Sequence, residues 1–477
     1  MFLRLDGAFV PWSVSLRQRL LEVFPLPEDL EPIPDNVLLE PKWVLTPLDE
    51  GSVSAPAQPG SSSNPERIAS TTLDASESAA ATPPEDLLPV NGSIEATLLE
   101  NTRITPQSHW QDVRHLTFSA PTPLQYGPGD VLKIYPKNFP SDVTQFLEVM
   151  GWTAVADTPL RFSQTSAPTS SSNYPLPPIP DLPADHVLTL RSLLTNHLDI
   201  MSIPRRSFFS QLAHYSSDPF QRDRLIEFTD PQYIDELYDY TTRPRRSILE
   251  VLQEFDSVKI PWERVTSVLP VMRGRQFSIA SGGALKSAPQ DATRTRIELL
   301  VAIVKYRTVI KRIRQGVATR YIASLRPSQK LSVTLQRGSL RMKEDNLKKP
   351  IVMVGPGTGV APMRSMIYER LALRRADASD PAGPLLTGDM LFFGCRNEHA
   401  DYFFKDEWAL LEKEVALTTW TAFSRDQVRC GLAVFLSPPP LILIQRQKVY
   451  VQDLVRAKAQ HVYEALGPQE GLVYICG

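Results

Sequence analysis

Cysteine is scarce: Cys395, Cys430 and Cys476 are the only three in 477 residues. Their spacing fits no metal site, and three thiols cannot build a disulfide framework. The expectation is a reducing, cytoplasmic setting without a metal. Long apolar runs are also missing. None reaches the roughly 18 residues that a membrane helix needs. The opening MFLRLDGAFVPW lacks the apolar stretch of a secretory signal. Charge of one sign is not in excess either. Fifty-one Lys and Arg stand against 53 Asp and Glu, a net −2. No sequence-wide field therefore draws the chain to nucleic acid or anionic membrane.

What is plentiful is proline, 43 residues of it, and it clusters. Residues 47–90 are rich in Ser, Pro, Ala and Thr and read as a flexible linker. A second such tract, residues 163–183, reads as a surface loop. The length is too great for one core, so two or three domains are expected. In residues 1–46, Val14, Leu16, Leu20, Leu21 and Phe24 recur at helical spacing. A lone helix of that length is marginal in water and needs a body to pack on.

From residue 91 the pattern becomes short and alternating, as in IEATLLENTRIT, RHLTFSA and DVLKIYP, which predicts antiparallel strands. Residues 187–265 turn helical, and strand patterns return with RQFSIAS and RIELLVAIVKY. After Lys349, KKPIVMVGPGTG is an apolar strand entering a Gly-rich turn. A helical stretch and the buried strand MLFFGCR follow. Strand–helix alternation of this kind predicts a doubly wound parallel sheet.

Four motifs carry chemistry. RQFSIAS sets a cation, an aromatic and small hydroxyls on one strand. A flavin needs a guanidinium fork for its diphosphate, an apolar wall for its ring and a small hydroxyl near N5. The same residues also make an ordinary half-buried strand. QGVATRYI reads as a helix start, which binds phosphate through outward N–H groups. It also reads as a simple Gly turn with a Thr cap. GPGTGVAP joins strand to helix with glycines that admit a pyrophosphate. It is not a Walker loop, because no Gly-Lys-Ser/Thr follows. SRDQ and KVYVQ offer hydroxyl, guanidinium, ammonium and phenol, a set suited to a ribose phosphate, with KVYVQ read as one strand face. Either piece alone reads as a solvated loop.

In this order, LDGAFVPW, PRRSILEVL, RQFSIASG, KYRTVIKRIRQGVATRYIASL, FFGCRNEHADYFFKDEW and TAFSRDQ resemble the reductase half of the diflavin reductases. These form the cytochrome P450 reductase-like group of the ferredoxin–NADP reductase superfamily. Within it the chain is similar to the NADPH-dependent diflavin oxidoreductases of cytosolic iron–sulfur protein assembly. The resemblance implies an α/β plus all-β fold. An antiparallel FAD-binding barrel, residues 91–345, carries a helical connecting insert at about 187–265. A doubly wound NADPH-binding domain follows at 346–477.

By resemblance, Arg245 of PRRS with Arg275, Gln276, Phe277 and Ser278 hold FAD, and Gly316, Val317, Ala318 and Thr319 cradle its pyrophosphate. The family usually has cysteine where this chain has Ala318. Gly355, Gly357, Thr358 and Arg396 meet NADPH. Ser424, Arg425, Lys448, Val449, Tyr450, Val451 and Gln452 hold its adenosine end. Ser278, near flavin N5, and Cys476, near the nicotinamide, are the implied catalytic residues. The cofactors are FAD and NADPH, with FMN only in a full-length family member. The implied acceptor is an anamorsin-type iron–sulfur protein.

Three departures from the family bear on this reading. Residues 1–46 resemble only the last helix of an FMN-binding flavodoxin domain. The chain stops at YICG, where the family continues. Val428–Gln445 separates SRDQ from KVYVQ with an apolar, proline-rich segment. Valine codons begin GT and CAG is one of the two glutamine codons, so a retained intron is expected there, with a loop insertion as the other possibility. An incomplete gene model would make the chain a non-catalytic fragment or interaction module, which is the alternative to an enzyme.

Overall fold

The computed structural model describes all residues except 1–4, 28–29, 32, 35–36, 49–81, 122–123, 166–177, 181, 184, 288–292, 339, 341–345, 378–382, 436–440 and 477. Most of the expected linker and of the 163–183 loop thus lies outside the described residues. The strands are β1 (Trp43–Pro47), β2 (Ile94–Arg103), β3 (Val113–Pro121), β4 (Val131–Ile134), β5 (Leu160–Gln164), β6 (Arg275–Ser278), β7 (Arg294–Ala302) and β8 (Lys305–Arg307). They continue with β9 (Ile313–Gln315), β10 (Lys330–Gln336), β11 (Ile351–Pro356), β12 (Met390–Cys395), β13 (Thr418–Phe423), β14 (Val428–Phe435), β15 (Leu441–Lys448) and β16 (Leu472–Ile475).

The chain divides into two compact units. The first comprises Met1–Pro84, Pro136–Arg273 and Tyr306–Val317. Its core is helical and aromatic: Phe146, Phe209, Leu212, Phe228 and Leu252 are all buried, and Phe228 stacks on Tyr240 at 4.7 Å. Two of its helices start on capping boxes, Thr189 with Ser192 and Ser247 with Glu250. Each box satisfies N–H groups that a helix start leaves unpaired. β1 pairs antiparallel with β5. The helix Leu5–Val23 exposes Trp12, Leu16 and Leu20.

The second unit holds Glu85–Tyr135, Gly274–Lys305 and Ala318–Gly477. Six antiparallel strands lie in the order β6-β4-β10-β2-β3-β7. Alternation turns Leu98, Leu116, Phe118, Leu132, Ile297 and Leu299 inward, where all are fully buried. An isolated bridge from Ile279 to Leu299 brings the two edge strands together. The sheet therefore closes on itself almost completely, which removes exposed edges. Of the expected linker, Leu88 is buried and its carbonyl accepts from Ser332 Oγ at 2.7 Å.

In the same unit, β13-β12-β11-β16 form a parallel sheet. Successive residues of β11 and β12 serve opposite faces. Ile351, Met353, Leu391 and Phe393 pack with the helices Val360–Asp377 and Lys405–Val415. Val352, Met390 and Phe392 pack with the helical segment from Val451 to Leu466. Both faces are covered, so these strands read as unbroken apolar runs. The outward side of the barrel joins the first of these clusters through Val113, Ala280 and Leu300. β14 and β15 pair only with each other among the described residues, as an antiparallel hairpin between β13 and the helix Val451–Ala457.

Candidate functional site

The end of β6 is held hard against the parallel-sheet part of its unit. Ser278 pairs with Val131 and Phe277 with Leu132. Phe277 packs on the barrel core, so Ser278 points to the opposite, outward face. Phe277 is thus a core aromatic, on the other face of the strand from the Ser278 hydroxyl. Beyond it, Ser281 is fully buried. Its carbonyl accepts from Ser365 Oγ at 2.8 Å, and its hydroxyl accepts from the Glu298 N–H at 3.0 Å. Gly282 leaves no room for a side chain, since a Cβ there would stand 2.0 Å from the Ser365 carbonyl oxygen.

A buried ion network makes this junction rigid. Arg364 donates to Glu298 at 2.7 Å and to the Ala280 carbonyl at 3.1 Å. It forks onto both oxygens of Glu407 at 2.8 and 2.9 Å. Glu298 also meets His115 Nε2 at 3.0 Å and Arg296 at 2.8 Å. Burial pushes the Glu298 carboxyl up, but His115, Arg364 and Arg296 outweigh it and pull it down to about 2. The network joins β3, β7, the segment just after β6 and two helices of the parallel-sheet layer.

The glycine turn crosses from β11 into the helix Val360–Asp377. A Cβ on Gly355 would meet Gly359 and Val360 at 2.9 Å, and one on Gly359 would meet the Cys476 carbonyl at 2.7 Å. Gly357 differs: its φ is +56° and a Cβ would meet nothing within 4 Å. Its peptide is bare on the outside, the cradle that a pyrophosphate fits. The Cys476 N–H donates to the Val354 carbonyl at 3.0 Å. Burial pushes its thiol up, so at neutral pH it is a neutral, weakly polar surface.

The neighbouring strand ends supply cations. The Ser424 N–H donates to the Cys395 carbonyl at 2.9 Å and the Arg425 N–H to the Arg396 carbonyl at 2.8 Å. Arg396 and Arg425 thus stand side by side, both exposed. Parallel sheets bind ligands at these carboxyl ends. KVYVQ is not one strand face. Lys448 ends β15, Tyr450 precedes the helix Val451–Ala457, and Val451 and Gln452 open it. Val449 is buried, and Val451 packs on Gly394, whose Cβ would lie 3.0 Å away. Strand propensity in KVYV is overridden because Asp453 accepts the Tyr450 N–H at 2.9 Å and caps the helix.

In the first unit, Arg245 is exposed with a left-handed φ of 54°. Arg314 pins the turn on one side, donating to the Pro244 carbonyl at 3.2 Å and to Glu250 at 2.8 Å. Glu250 pins the other side by accepting the Ser247 N–H at 2.9 Å. Burial pushes Glu250 up, and Arg314, the Ser247 N–H and Arg312 more than reverse it. Arg314 stands two residues before Gly316 and belongs to the same contact set as the turn that carries Arg245. Arg314 Nη2 is buried without a protein partner, a donor that an anionic ligand oxygen would satisfy. In the second unit, the Thr319 hydroxyl accepts the Val304 N–H at 3.0 Å, so it shapes the helix start.

Glu298, Arg364, Arg314 and Glu250 escaped the sequence reading. Arg and Glu inside amphipathic patterns look like solvated faces. The Gly282–Gly283 pair directly after RQFSIAS was a signal of close approach.

Barrel, parallel sheet and glycine turn together define an FAD-dependent pyridine-nucleotide oxidoreductase. Residues 91–321 match the FAD binding domain family model, and residues 353–436 match the oxidoreductase NAD-binding domain model. The chain is 46% identical to the NADPH-dependent diflavin oxidoreductase 1 of Emericella nidulans, over 99% of this chain and 69% of that protein. It is 41% identical to the protein of that name from Gibberella zeae, over 99% and 70%. With the Mus musculus protein of that name it shares 34%, over 99% and 69%. The chain belongs to the NADPH-dependent diflavin oxidoreductase family; its cofactors are FAD and NADPH. No helix of the described residues is long and apolar enough to cross a membrane.

Proposed function

We propose that this chain, in the cytoplasm, draws electrons from NADPH through FAD. Single electrons then pass, by way of FMN in a full-length family member, to an anamorsin-type iron–sulfur protein of cytosolic cluster assembly. The observation that carries this reading is the Glu298–Arg364 junction. It ties the segment two residues past Ser278 to the helix that begins at the glycine turn.

FAD, when bound, supplies the conversion of a hydride equivalent into single-electron steps. The chain supplies position and field. Arg245 and Arg275 would each offer a guanidinium to the flavin diphosphate, and N–H groups of Gly316–Thr319 would cradle it. Gln276 and Phe277 shape β6 beside Arg275. Ser278 offers its hydroxyl to the flavin edge. Gly355, Gly357 and Thr358 present backbone to the NADPH pyrophosphate. Cys476, protonated, gives the nicotinamide a neutral surface. Ser424, Arg425, Lys448, Tyr450 and Gln452 hold the 2′-phosphate end, with Val449 and Val451 packing beneath.

Purified chain mixed with FAD tests this. NADPH is expected to bleach the flavin and support ferricyanide reduction, and NADH to do so poorly. Colourless, inert protein would instead identify a non-catalytic interaction module. Arg425→Ala is expected to raise KM for NADPH by about tenfold or more, the value of one charge-assisted hydrogen bond, and to leave KM for NADH nearly unchanged.

A further inference from the structure

Trp110 lies on the loop between β2 and β3, and its exposed indole carries the Arg396 guanidinium at 4.0 Å from the ring centroid. The loop is braced. Arg103 donates to the carbonyls of Thr105 at 3.0 Å, Pro106 at 2.9 Å and His109 at 3.1 Å. Thr105 Oγ1 donates to the Gln111 carbonyl at 2.8 Å and accepts the Val113 N–H at 3.1 Å. The backbone on both sides of Trp110 is therefore tied down, which fixes where its side chain leaves the loop.

Arg396 is equally constrained at its backbone and unspent at its side chain. Its N–H is held by Asp401 at 3.0 Å, and its carbonyl takes the Arg425 N–H. Asp426, the other nearby acid, accepts from the Glu398 N–H at 2.7 Å and from Asn397 at 2.8 Å. Among the described residues no carboxylate pairs with the Arg396 guanidinium. A guanidinium held over an indole face keeps N–H groups for a second, anionic partner.

We infer that Trp110 is a positioning residue of the nucleotide site. It holds the Arg396 guanidinium over its ring so that the remaining N–H groups meet a phosphate of NADPH, and it thereby sets nucleotide affinity from the barrel side. The inference rests on the nucleotide site lying at the ends of β11, β12 and β13.

Calorimetric titration of the full chain with NADP⁺ tests it without turnover. Trp110→Ala is expected to weaken binding about two- to fivefold, the range of an exposed cation–π contact. Trp110→Phe should recover much of the loss. In an Arg396→Ala background, Trp110→Ala should change the Kd no further, because the stacked partner is gone. Steady-state rates should show the loss in KM, with kcat unchanged. Independent, multiplying effects of the two substitutions overturn the inference, as does a normal Kd in Trp110→Ala beside a weakened one in Arg396→Ala. A normal Kd in Arg396→Ala itself overturns it too, and it alone also removes Arg396 from the nucleotide site.

Discussion

Glu298 shows how much one buried carboxylate decides. It is 1% exposed and serves His115, Arg296 and Arg364 together. Removing one member of such a set leaves buried charge unpaired, at roughly 3–5 kcal/mol. Glu298→Gln is expected to lower the folding stability by that order, read as a drop in the calorimetric Tm. The pH dependence has a definite sign. The folded carboxyl lies near 2 and the ordinary value is 4.5, so its contribution is complete above about 4.5 and disappears as pH falls toward 2. In that window the wild type should lose stability more steeply than Glu298→Gln. Parallel slopes would show that Glu298 carries no such charge. Gly282→Ala is a sharper test of the junction. The new methyl would strike backbone rather than a flexible side chain, so a Tm drop and slowed flavin reduction by NADPH are expected together.

At the scale of elements, the strand β9 matters more than its three residues suggest. Arg314 within it joins the Pro244 carbonyl, Glu250 and the turn that carries Arg245. Arg314→Ala is expected to reduce bound flavin per protein as isolated, read from the visible absorbance. Arg314→Lys should recover it only in part, because an ammonium cannot make both planar contacts. The hairpin β14–β15 presents the opposite case. We propose that residues 428–445 are an insertion. Excising them should leave Tm and NADP⁺ binding close to the parent values, since the hairpin pairs with no other strand among the described residues. Genomic DNA lacking GT and AG at those edges would exclude a retained intron. Legibility also divides by element. RIELLVAIVKY and KKPIVMVG announced strands because alternation or unbroken apolarity is local. KVYVQ misled because a cap from Asp453, three residues past Tyr450, outweighed β-branched propensity.

At the scale of the whole molecule, ligand binding and folding are linked. A nucleotide that binds only the folded chain should stabilise it by about 2.7 kcal/mol at a hundred times its Kd. NADP⁺ is therefore expected to raise the Tm by several degrees, and Arg425→Ala should remove about half of that rise or more at the same concentration. An equal rise in the variant would place the 2′-phosphate elsewhere. The amino-acid sequence by itself determined the class of chemistry. Glycines at 355, 357 and 359, cations after two strand ends and RQFSIAS are short-range patterns whose steric and charge requirements can be read in line. Only the tertiary structure decided which residues make that chemistry rigid. Glu298 and Arg364 are 66 positions apart, and the Trp110–Arg396 stack spans still more of the chain. Partnership at such separation is set by how a closed barrel packs against a parallel sheet, and no local pattern encodes it.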